Sequence, residues 1–218
     1  MKPLRIALLG AESSGKTALS LALVQSLRAH GLTVALVPEV LRAWCAHAGR
    51  TPHAHEQMAI AQEQAARVDQ AEQACPNAHC VIADTTPLMV AVYSELLFDD
   101  RSLYDFALHH QRSYDQTLLM GLDLPWVADG LQRDGPHVQA PVDGLVRAAL
   151  ERGALPYQTV YGSGAARLAH AERALRSDAR IAALIGRTAE PSQAVRWSCD
   201  SCGDADCEHR LFRRLLAP

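Results

Sequence analysis

A glycine-bracketed loop near the N-terminus constrains the fold of this chain more than any other stretch. The apolar run of residues 4–9 leads into a segment that fits the phosphate-loop (P-loop) pattern G-x-x-x-x-G-K-[ST], and residues 18–27 have the apolar spacing of a helix packed on a sheet. The loop consists of Gly10, Ala11, Glu12, Ser13, Ser14, Gly15, Lys16 and Thr17. Its glycines let the backbone curl until N–H groups point inward, at the positive end of the helix dipole. We therefore predict that these residues, with Ala18, bind the phosphates of a nucleotide.

The last two residues of the loop indicate which ligands it holds. Lys16 can reach the β- and γ-phosphates as a compact charge, and the Thr17 hydroxyl is placed to bind the Mg²⁺ that bridges them. ATP and Mg²⁺ are thus the predicted cofactors. The motif does not choose between a kinase, a GTPase, an ATPase and a nucleotide-dependent switch, because one fold supports many functions.

Apolar stretches of strand length alternate with helical stretches along the chain. The predicted strands cover residues 4–9, 33–37, 80–83, 117–120 and 157–160. This alternation predicts an α/β fold, namely a doubly wound, five-stranded parallel sheet with helices on both faces, of the nucleotide-kinase-like P-loop NTPase class. Residues 98–112 are expected to be helical. We predict a P-loop domain over residues 1–185 and a short Cys/His-rich C-terminal tail over residues 186–218.

Composition narrows the class of protein. Apolar residues make up 49% of the chain and charged residues 21%, which indicates a packed core rather than disorder. A formal net charge of −3 supplies no basic field for a nucleic acid. No apolar run approaches the roughly 18 residues that span a bilayer, and the N-terminus enters a strand directly. We expect a cytoplasmic protein with no nucleic-acid or membrane partner, and its oligomeric state stays open.

Charged residues follow the predicted second and third strands. Because the carboxyl ends of parallel strands line the ligand crevice of an open sheet, Glu39, Arg42 and Asp84 are expected at the same edge as the P-loop. Glu39 is a candidate to hold or deprotonate a substrate hydroxyl, and Arg42 to hold a polar substrate group. Asp84 is a candidate ligand of Mg²⁺ or activator of the hydroxyl. The alternatives are an ordinary helix-start role for Glu39, a solvated side chain for Arg42 and a helix-capping role for Asp84.

Residues 123–136 have the Gly/Pro-punctuated composition of a loop that closes over a site. Arg133 is the candidate in this loop to neutralise charge on a transferring phosphoryl group, while closure excludes water. Trp126 offers either a flat surface for a substrate ring or packing against the domain. Farther along, Gly162 follows the last predicted strand, where an adenine base could lie.

Taken together, four motifs resemble a known family. They are the P-loop, Pro38-Glu39 with Arg42, Asp84-Thr-Thr-Pro-Leu with Tyr93, and Leu124-Pro-Trp-Val-Ala-Asp-Gly130 with Arg133. In order and spacing they resemble the ribosylnicotinamide kinase domain of the bacterial NAD-biosynthesis regulator and its related standalone ATPases, over residues 1 to about 180. The resemblance implies a P-loop kinase that transfers the γ-phosphate of ATP to the 5′-hydroxyl of nicotinamide riboside, giving nicotinamide mononucleotide.

The resemblance also implies roles for individual residues. Lys16 and Thr17 would hold the phosphates and Mg²⁺, with Asp84 assisting. Glu39 and Arg42 would lie at the substrate ribose, and Tyr93, Trp126 and Asp129 would bind the nicotinamide riboside. Arg133 would be the lid arginine, one residue later than in the family pattern. The chain has no counterpart of the regulator's adenylyltransferase and DNA-binding domains, so we expect that it cannot by itself make NAD from the mononucleotide.

Three cysteines and a histidine lie close together in the C-terminal tail. Cys199, Cys202, Cys207 and His209 have the spacing C-x₂-C-x₄-C-x-H. Three thiolates and one imidazole suit a tetrahedral structural zinc ion, so they are candidate zinc ligands. Free or oxidised thiols and a redox role are the alternatives. This tail lies outside the family resemblance.

Two rival functions follow from the same residues. One is a kinase that phosphorylates another nucleoside or a small alcohol. The other is a P-loop ATPase that acts as a nucleotide-dependent switch or as a metal-handling accessory protein, with the Cys/His tail as its working end. An ATPase of that kind needs the P-loop and Asp84 but needs no acceptor pocket.

Overall fold

In a computed structural model of the protein, the described residues are 2–127 and 135–185. They form a sheet of five strands, all parallel, in the order β2-β3-β1-β4-β5. The strands are β1 (Leu4–Leu9), β2 (Val34–Val37), β3 (Cys80–Asp84), β4 (Gln116–Met120) and β5 (Gln158–Val160). The prediction of a five-stranded parallel sheet is confirmed, and each predicted strand is present.

Helices connect successive strands. They are α1 (Lys16–Ala29), α2 (Val40–Ala48), α3 (Gln57–Ala74), α4 (Pro87–Phe98), α5 (Tyr104–Gln111), α6 (Gln139–Arg152), α7 (Gly164–Leu175) and α8 (Ala179–Ile185). Single 3-10 turns lead into two of them, at Ala54–Glu56 before α3 and at Pro136–Val138 before α6. Among the described residues, no helix is both long enough and apolar enough to cross a membrane.

The sheet is covered on both faces, because side chains alternate along each strand. Ile6 and Leu8 of β1 point to the face covered by α1 and α7, where they pack with side chains such as Leu23 and Leu175. Leu9 points to the opposite face and belongs to a core built with α3, α4, α5 and α6. The doubly wound arrangement with helices on both faces is therefore confirmed.

Strand register brings the ends of the central strands to one level. Leu8 of β1 pairs with Asp84, the last residue of β3, and Leu9 pairs with Leu119 of β4. The loops that follow β1, β3 and β4 therefore leave the sheet side by side. Open α/β sheets bind their ligands at this edge, which is formed by the carboxyl ends of the strands.

The prediction that residues 98–112 are helical is confirmed for Tyr104–Gln111 and wrong for residues 99–103. Helix α4 ends at Phe98, and Asp99 adopts the left-handed conformation with φ of +53°. The Asp100 carboxylate then accepts a hydrogen bond of 2.9 Å from the Ser102 N–H, which forms a turn before α5 begins at Tyr104. Helices α2 and α8 were not predicted, because they are short and lack long apolar periodicity.

Candidate active site

The P-loop has the geometry that its glycines predict. Gly10 has φ of +147° and Gly15 has φ of +82°, both in the region that side chains disfavour. A Cβ atom at Gly10 would lie 2.8 Å from Cβ of Met120, and one at Gly15 would lie 2.9 Å from Cδ1 of Leu124. Glycine is thus required at both positions by conformation and by space. The last two residues of the loop, Lys16 and Thr17, already belong to the first turn of helix α1.

Lys16 is held over the loop by the loop's own backbone. Its ammonium donates hydrogen bonds to the carbonyl oxygens of Gly10, at 2.8 Å, and Ala11, at 3.0 Å. Burial lowers the pKa of Lys16, and the nearby carboxylates of Glu39 and Asp84 act in the opposite direction. Thr17 and Ala18 are exposed in the first turn of α1.

Asp84 is a buried carboxylate at the end of β3. It is only 3% exposed, and within the described part of the chain its Oδ1 has no hydrogen-bond partner. The next residue, Thr85, has φ of +82° and donates its N–H to the carbonyl oxygen of Leu8 at 3.1 Å. The alternative that Asp84 caps α4 is wrong, because the Thr86 hydroxyl accepts the hydrogen bond from the Leu88 N–H.

The oxygen atoms at this edge fit a hard cation such as Mg²⁺. Asp84 supplies a buried oxygen that accepts no hydrogen bond from any described residue, and Thr17 supplies an exposed hydroxyl at the start of α1. Residues 2–127 and 135–185 contain no cluster of three or more His, Cys, Asp or Glu that would hold a metal ion by itself. A nucleotide-bound Mg²⁺ needs no such cluster, because phosphates and water complete its shell.

A cavity of about 440 Å³ adjoins the P-loop. Glu12, Ser13 and Lys16 of the loop line one side of it, and Glu39 and Arg42 at the start of α2 line another. Of the residues predicted from the sequence to bind substrate, Glu39, Arg42 and Tyr93 line this cavity. The volume is in the range of pockets that hold small molecules.

Glu39 and Arg42 lie next to each other in the cavity wall. The Nε atom of Arg42 is 3.5 Å from the Glu39 carboxylate, and the Glu39 side chain is 13% exposed. Glu39 is the residue before α2, yet its side chain makes no capping hydrogen bond there. Its carboxylate therefore faces the cavity edge rather than serving the helix start.

The far wall of the cavity is apolar. It consists of Tyr93, Leu96, Leu97 and Phe98, all on α4. Leu97 is 51% exposed, although it is large and hydrophobic. The sequence alone does not identify Leu96, Leu97 and Phe98 as lining residues. An apolar last turn of a helix has the same pattern whether it packs in the core or lines a cavity.

The start of α3 contributes a polar lining residue, Gln57, that was not predicted from the sequence. Gln57 is 1% exposed and lines the cavity, and its Oε1 has no hydrogen-bond partner among the described residues. Beside it, Arg50 donates two hydrogen bonds to the Glu56 carboxylate, at 2.7 and 2.8 Å. Arg50, together with the His53 N–H, lowers the pKa of Glu56 to about 2. Residues 53–56 form a capping box in the structure, but His53 stands where the sequence pattern has Ser or Thr, so the pattern does not indicate it.

The remaining candidate residues lie elsewhere or outside the description. Trp126 is half-buried and is not among the residues that line the cavity. Its neighbour Val127 exchanges hydrogen bonds with the Ser13 hydroxyl of the P-loop, at 2.8 and 3.1 Å. Gly162 lies two residues after the end of β5, and its carbonyl oxygen accepts a hydrogen bond from Arg167. Asp129 and Arg133 are outside the described residues, as are Cys199, Cys202, Cys207 and His209.

A family model described as an AAA domain matches residues 5–167 of the chain. The match covers the P-loop, the whole sheet and the helices between the strands. The chain belongs to this AAA domain family. A search of curated proteins found no similar sequence.

Solved structures with a similar fold include two of NadR. This AAA domain matches NadR in complex with NAD and AMP-PNP at 15% identity and a TM-score of 0.65, covering 88% of the chain and 52% of NadR. It matches NadR in complex with NR at 15% identity and a TM-score of 0.67, covering 81% of the chain and 50% of NadR. The chain therefore spans about half the length of the NadR structures that it matches.

A third similar structure is a nucleoside kinase. Deoxyadenosine kinase from M. mycoides, with the products dCMP and dCDP, matches at 12% identity and a TM-score of 0.52, with 80% of the chain and 100% of the kinase covered. At these identities the similarity establishes the fold. The AAA domain thus has the P-loop fold of the nucleoside-kinase type, and the resemblance to the ribosylnicotinamide kinase domain is confirmed at that level. Family and fold agree with the predicted class of P-loop phosphotransferase or ATPase.

Proposed function

We propose that this protein is an ATP-dependent kinase whose acceptor is a nucleoside, with nicotinamide riboside as the leading acceptor. The observation that carries the proposal is that Lys16 of the P-loop and Glu39 line the same cavity. A phosphate-binding lysine and a carboxylate that can take a proton thus border one space. A switch ATPase needs no such acceptor space, which is why the cavity favours a kinase.

The transfer step assigns separate tasks to the residues around the cavity. The acceptor hydroxyl oxygen forms a bond to the γ-phosphorus of ATP while the bond from that phosphorus to the oxygen of ADP breaks. The hydroxyl proton passes to the Glu39 carboxylate, which borders the cavity. Lys16 stabilises the negative charge that spreads over the transferring phosphoryl group. Asp84 does not line the cavity, so it is assigned to the metal rather than to the acceptor.

Thr17 and Asp84 would hold Mg²⁺. When bound there, the ion would neutralise negative charge on the phosphates. The protein's own part is to keep the Asp84 carboxylate buried at the end of β3, near the ammonium of Lys16.

Several features support a nucleoside as the acceptor. The cavity combines an apolar wall at Leu96, Leu97 and Phe98 with a buried amide at Gln57. A flat base can pack on the apolar wall while its polar edge pairs with the amide, whereas a small alcohol uses neither. Nicotinamide riboside leads because the sequence motifs resemble a ribosylnicotinamide kinase and because NadR in complex with NR has a similar fold. Asp129, Trp126 and Arg133 complete the proposed substrate and lid residues.

Two further parts of the proposal concern the tail and the location. Cys199, Cys202, Cys207 and His209 are proposed to bind one structural zinc ion, on the strength of their spacing alone. Elemental analysis of protein purified without added metal tests this, and zinc far below one per chain would contradict it. A cytoplasmic location belongs to the same proposal, since the reaction consumes ATP.

The proposed reaction is tested by identifying its products. The full chain is incubated with Mg-ATP and a panel that contains nicotinamide riboside, adenosine, deoxyadenosine, cytidine and glycerol, and the products are analysed by mass spectrometry. We expect nicotinamide mononucleotide to form in step with ADP. Phosphorylation of another panel member alone would retain the kinase and replace the acceptor. ADP without any phosphorylated acceptor would favour the switch or accessory ATPase instead.

A further inference from the structure

Arg167, in the first turn of α7, is a buried cation at the active-site edge. It is 3% exposed, and its guanidinium donates four hydrogen bonds. The acceptors are the carbonyl oxygen of Gly162 at 2.7 Å, the carbonyl oxygen of Ser14, the carbonyl oxygen of Gly121 at 3.2 Å, and Oδ1 of Asp123 at 2.6 Å. We call these five residues the Arg167 cluster.

The Arg167 cluster joins three loops that leave the sheet at the same edge. Ser14 belongs to the P-loop after β1, Gly121 follows β4, and Gly162 follows β5. Asp123 closes the cluster, because its Oδ2 accepts a hydrogen bond of 2.5 Å from the Gly162 N–H. Burial would raise the pKa of Asp123, but the hydrogen bond from Gly162 and the charge of Arg167 outweigh it and hold that pKa below its ordinary value.

The bond to Ser14 bears directly on phosphate binding. The chain contains no cis peptide among its described residues, so the Ser14 carbonyl and the Gly15 N–H point in opposite directions across one planar peptide. Arg167 holds the carbonyl outside the loop and thereby turns the Gly15 N–H toward the inside. That inside is where the N–H groups of a P-loop meet a phosphate.

The space around Gly15 fits the same arrangement. A Cβ atom at Gly15 would lie 3.2 Å from the Nη1 atom of Arg167, so the guanidinium packs directly against this peptide. A buried cation is costly unless its hydrogen bonds and its charge are matched. Here three carbonyl oxygens and one carboxylate match them, which fixes the guanidinium plane and the carbonyls that it holds.

We propose that Arg167 is a positioning residue for nucleotide binding: it orients the Gly15 N–H toward the nucleotide phosphates and ties the P-loop to the segments after β4 and β5. The arginine itself touches no phosphate in this role. The inference rests on the nucleotide-binding part of the proposed function and is independent of the acceptor.

The alternative is that Arg167 only stabilises the fold, and Arg5 supplies the matched control. Arg5 is also a buried arginine, 7% exposed, and it donates hydrogen bonds to Asp69, Glu72 and Ser113. It lies in β1 near the opposite edge of the sheet, away from the P-loop. Losing either arginine should destabilise the fold, but only the loss of Arg167 should weaken nucleotide binding.

The test compares the full-length chain with Arg167→Lys, Arg167→Gln and Arg5→Gln. The affinities for Mg-ADP and for Mg-pyrophosphate are measured by calorimetry, and the unfolding temperature is measured for each variant. We expect Arg167→Gln to lower the affinity for both ligands by about 10-fold or more, because the Gly15 N–H is no longer held in the orientation that meets a phosphate. The affinities of Arg167→Lys should lie between those of Arg167→Gln and the wild type. An ammonium can hold one carbonyl oxygen but cannot form the planar set of hydrogen bonds that a guanidinium makes. Arg5→Gln should lower the unfolding temperature and leave both affinities unchanged.

Asp123→Asn serves as a second variant if Arg167→Gln does not fold. It keeps the arginine and removes the matching charge, so we expect a smaller loss of affinity in the same direction, about 3-fold. Unchanged pyrophosphate affinity in folded Arg167→Gln, or in Asp123→Asn when Arg167→Gln does not fold, would overturn the inference, because Gly15 can contact only the phosphates. Failure of the wild-type chain to bind Mg-ADP would instead refute the nucleotide-binding part of the proposed function.

Discussion

Lys16 donates a hydrogen bond of 2.8 Å to the carbonyl oxygen of Gly10, the residue that opens the same loop. A second hydrogen bond, of 3.0 Å, goes to the carbonyl oxygen of Ala11. The loop therefore fixes its own cation beside the proposed phosphate site. A charge that is already in place costs little reorganisation when negative charge develops on a transferring group.

The first prediction concerns this cation. Lys16→Met should lower kcat/KM for ATP-dependent turnover by at least about 100-fold, because the pre-positioned charge is lost. The other lysine of the chain, Lys2, is the control. Its side chain is 67% exposed, and its ammonium makes a long ion pair of 3.9 Å with Glu72. Lys2→Met should keep the wild-type rate. Full activity in Lys16→Met would show that the P-loop does not perform the chemistry.

The second prediction separates the two carboxylates. Glu39→Gln should lower kcat by about 10²-fold or more with little change in the Mg²⁺ requirement, because Glu39 borders the cavity as the proposed base. Asp84→Asn should raise the Mg²⁺ concentration that gives half-maximal rate, because a neutral amide is a weaker ligand for the ion. Titrating Mg²⁺ at saturating ATP measures both effects. If the two variants exchange these behaviours, Asp84 is the base and Glu39 is not.

The third prediction compares two buried glutamines of α3. Gln57 lines the cavity and has an Oε1 with no partner in the described chain, whereas Gln64 accepts from the Val40 N–H at 2.8 Å. Gln57→Leu should raise KM for the nucleoside about 10-fold and leave the KM for ATP unchanged. The free energy of unfolding of this variant should stay near the wild-type value, because no side-chain hydrogen bond among the described residues is lost.

Gln64→Leu is the matched control and should behave in the opposite way. It should lower the free energy of unfolding by about 1–3 kcal/mol, since a buried N–H at the start of α2 loses its acceptor. The KM values should change little. Equal KM values for the nucleoside in Gln57→Leu and the wild type would exclude Gln57 from acceptor recognition.

How much of this site could be predicted from sequence depended on whether a residue lies in a local motif. The P-loop and the strand that ends in Asp84 are contiguous patterns, so the fold class and the edge of the sheet followed from them. Arg167 could not be found this way, because its partners at Ser14 and Asp123 are 153 and 44 residues away in the chain. Gln57 was hidden for a different reason: an Ala- and Gln-rich helix does not indicate which glutamine faces a cavity.

The last prediction concerns acid stability and a histidine outside the active site. His110 of α5 packs its ring near Phe106 and edge-on against Tyr114, with ring centroids 6.5 and 5.5 Å away. Neither ring nitrogen has a hydrogen-bond partner in the described part of the chain. Burial lowers the pKa of His110 to about 4, and the charges of Arg5 and His109 add to this while Asp69 opposes it.

The direction of this pH dependence follows from whether the folded or the unfolded chain binds the proton first as the pH falls. The unfolded chain takes up a proton on this histidine below a pH of about 6.5, whereas the folded chain does so only near pH 4. Between these values the unfolded state binds more protons than the folded state. The contribution of His110 to the free energy of unfolding is therefore fully present above about pH 6.5 and is lost as the pH falls toward 4. After allowance for partial solvent exposure, the decline due to this group is about 2 kcal/mol.

His110→Phe tests this assignment, because phenylalanine keeps the ring packing and removes the titrating group. The free energy of unfolding is measured by urea titration at several pH values from 4 to 7. We expect the wild-type curve to fall by about 2 kcal/mol more than the His110→Phe curve over this range. His47→Gln is the control, since His47 is exposed, lies on α2 and is not among the charges that act on His110, so its curve should stay close to that of the wild type. Parallel curves for His110→Phe and the wild type would mean that the acid sensitivity arises from other groups that titrate in this range, the carboxylates or the remaining histidines.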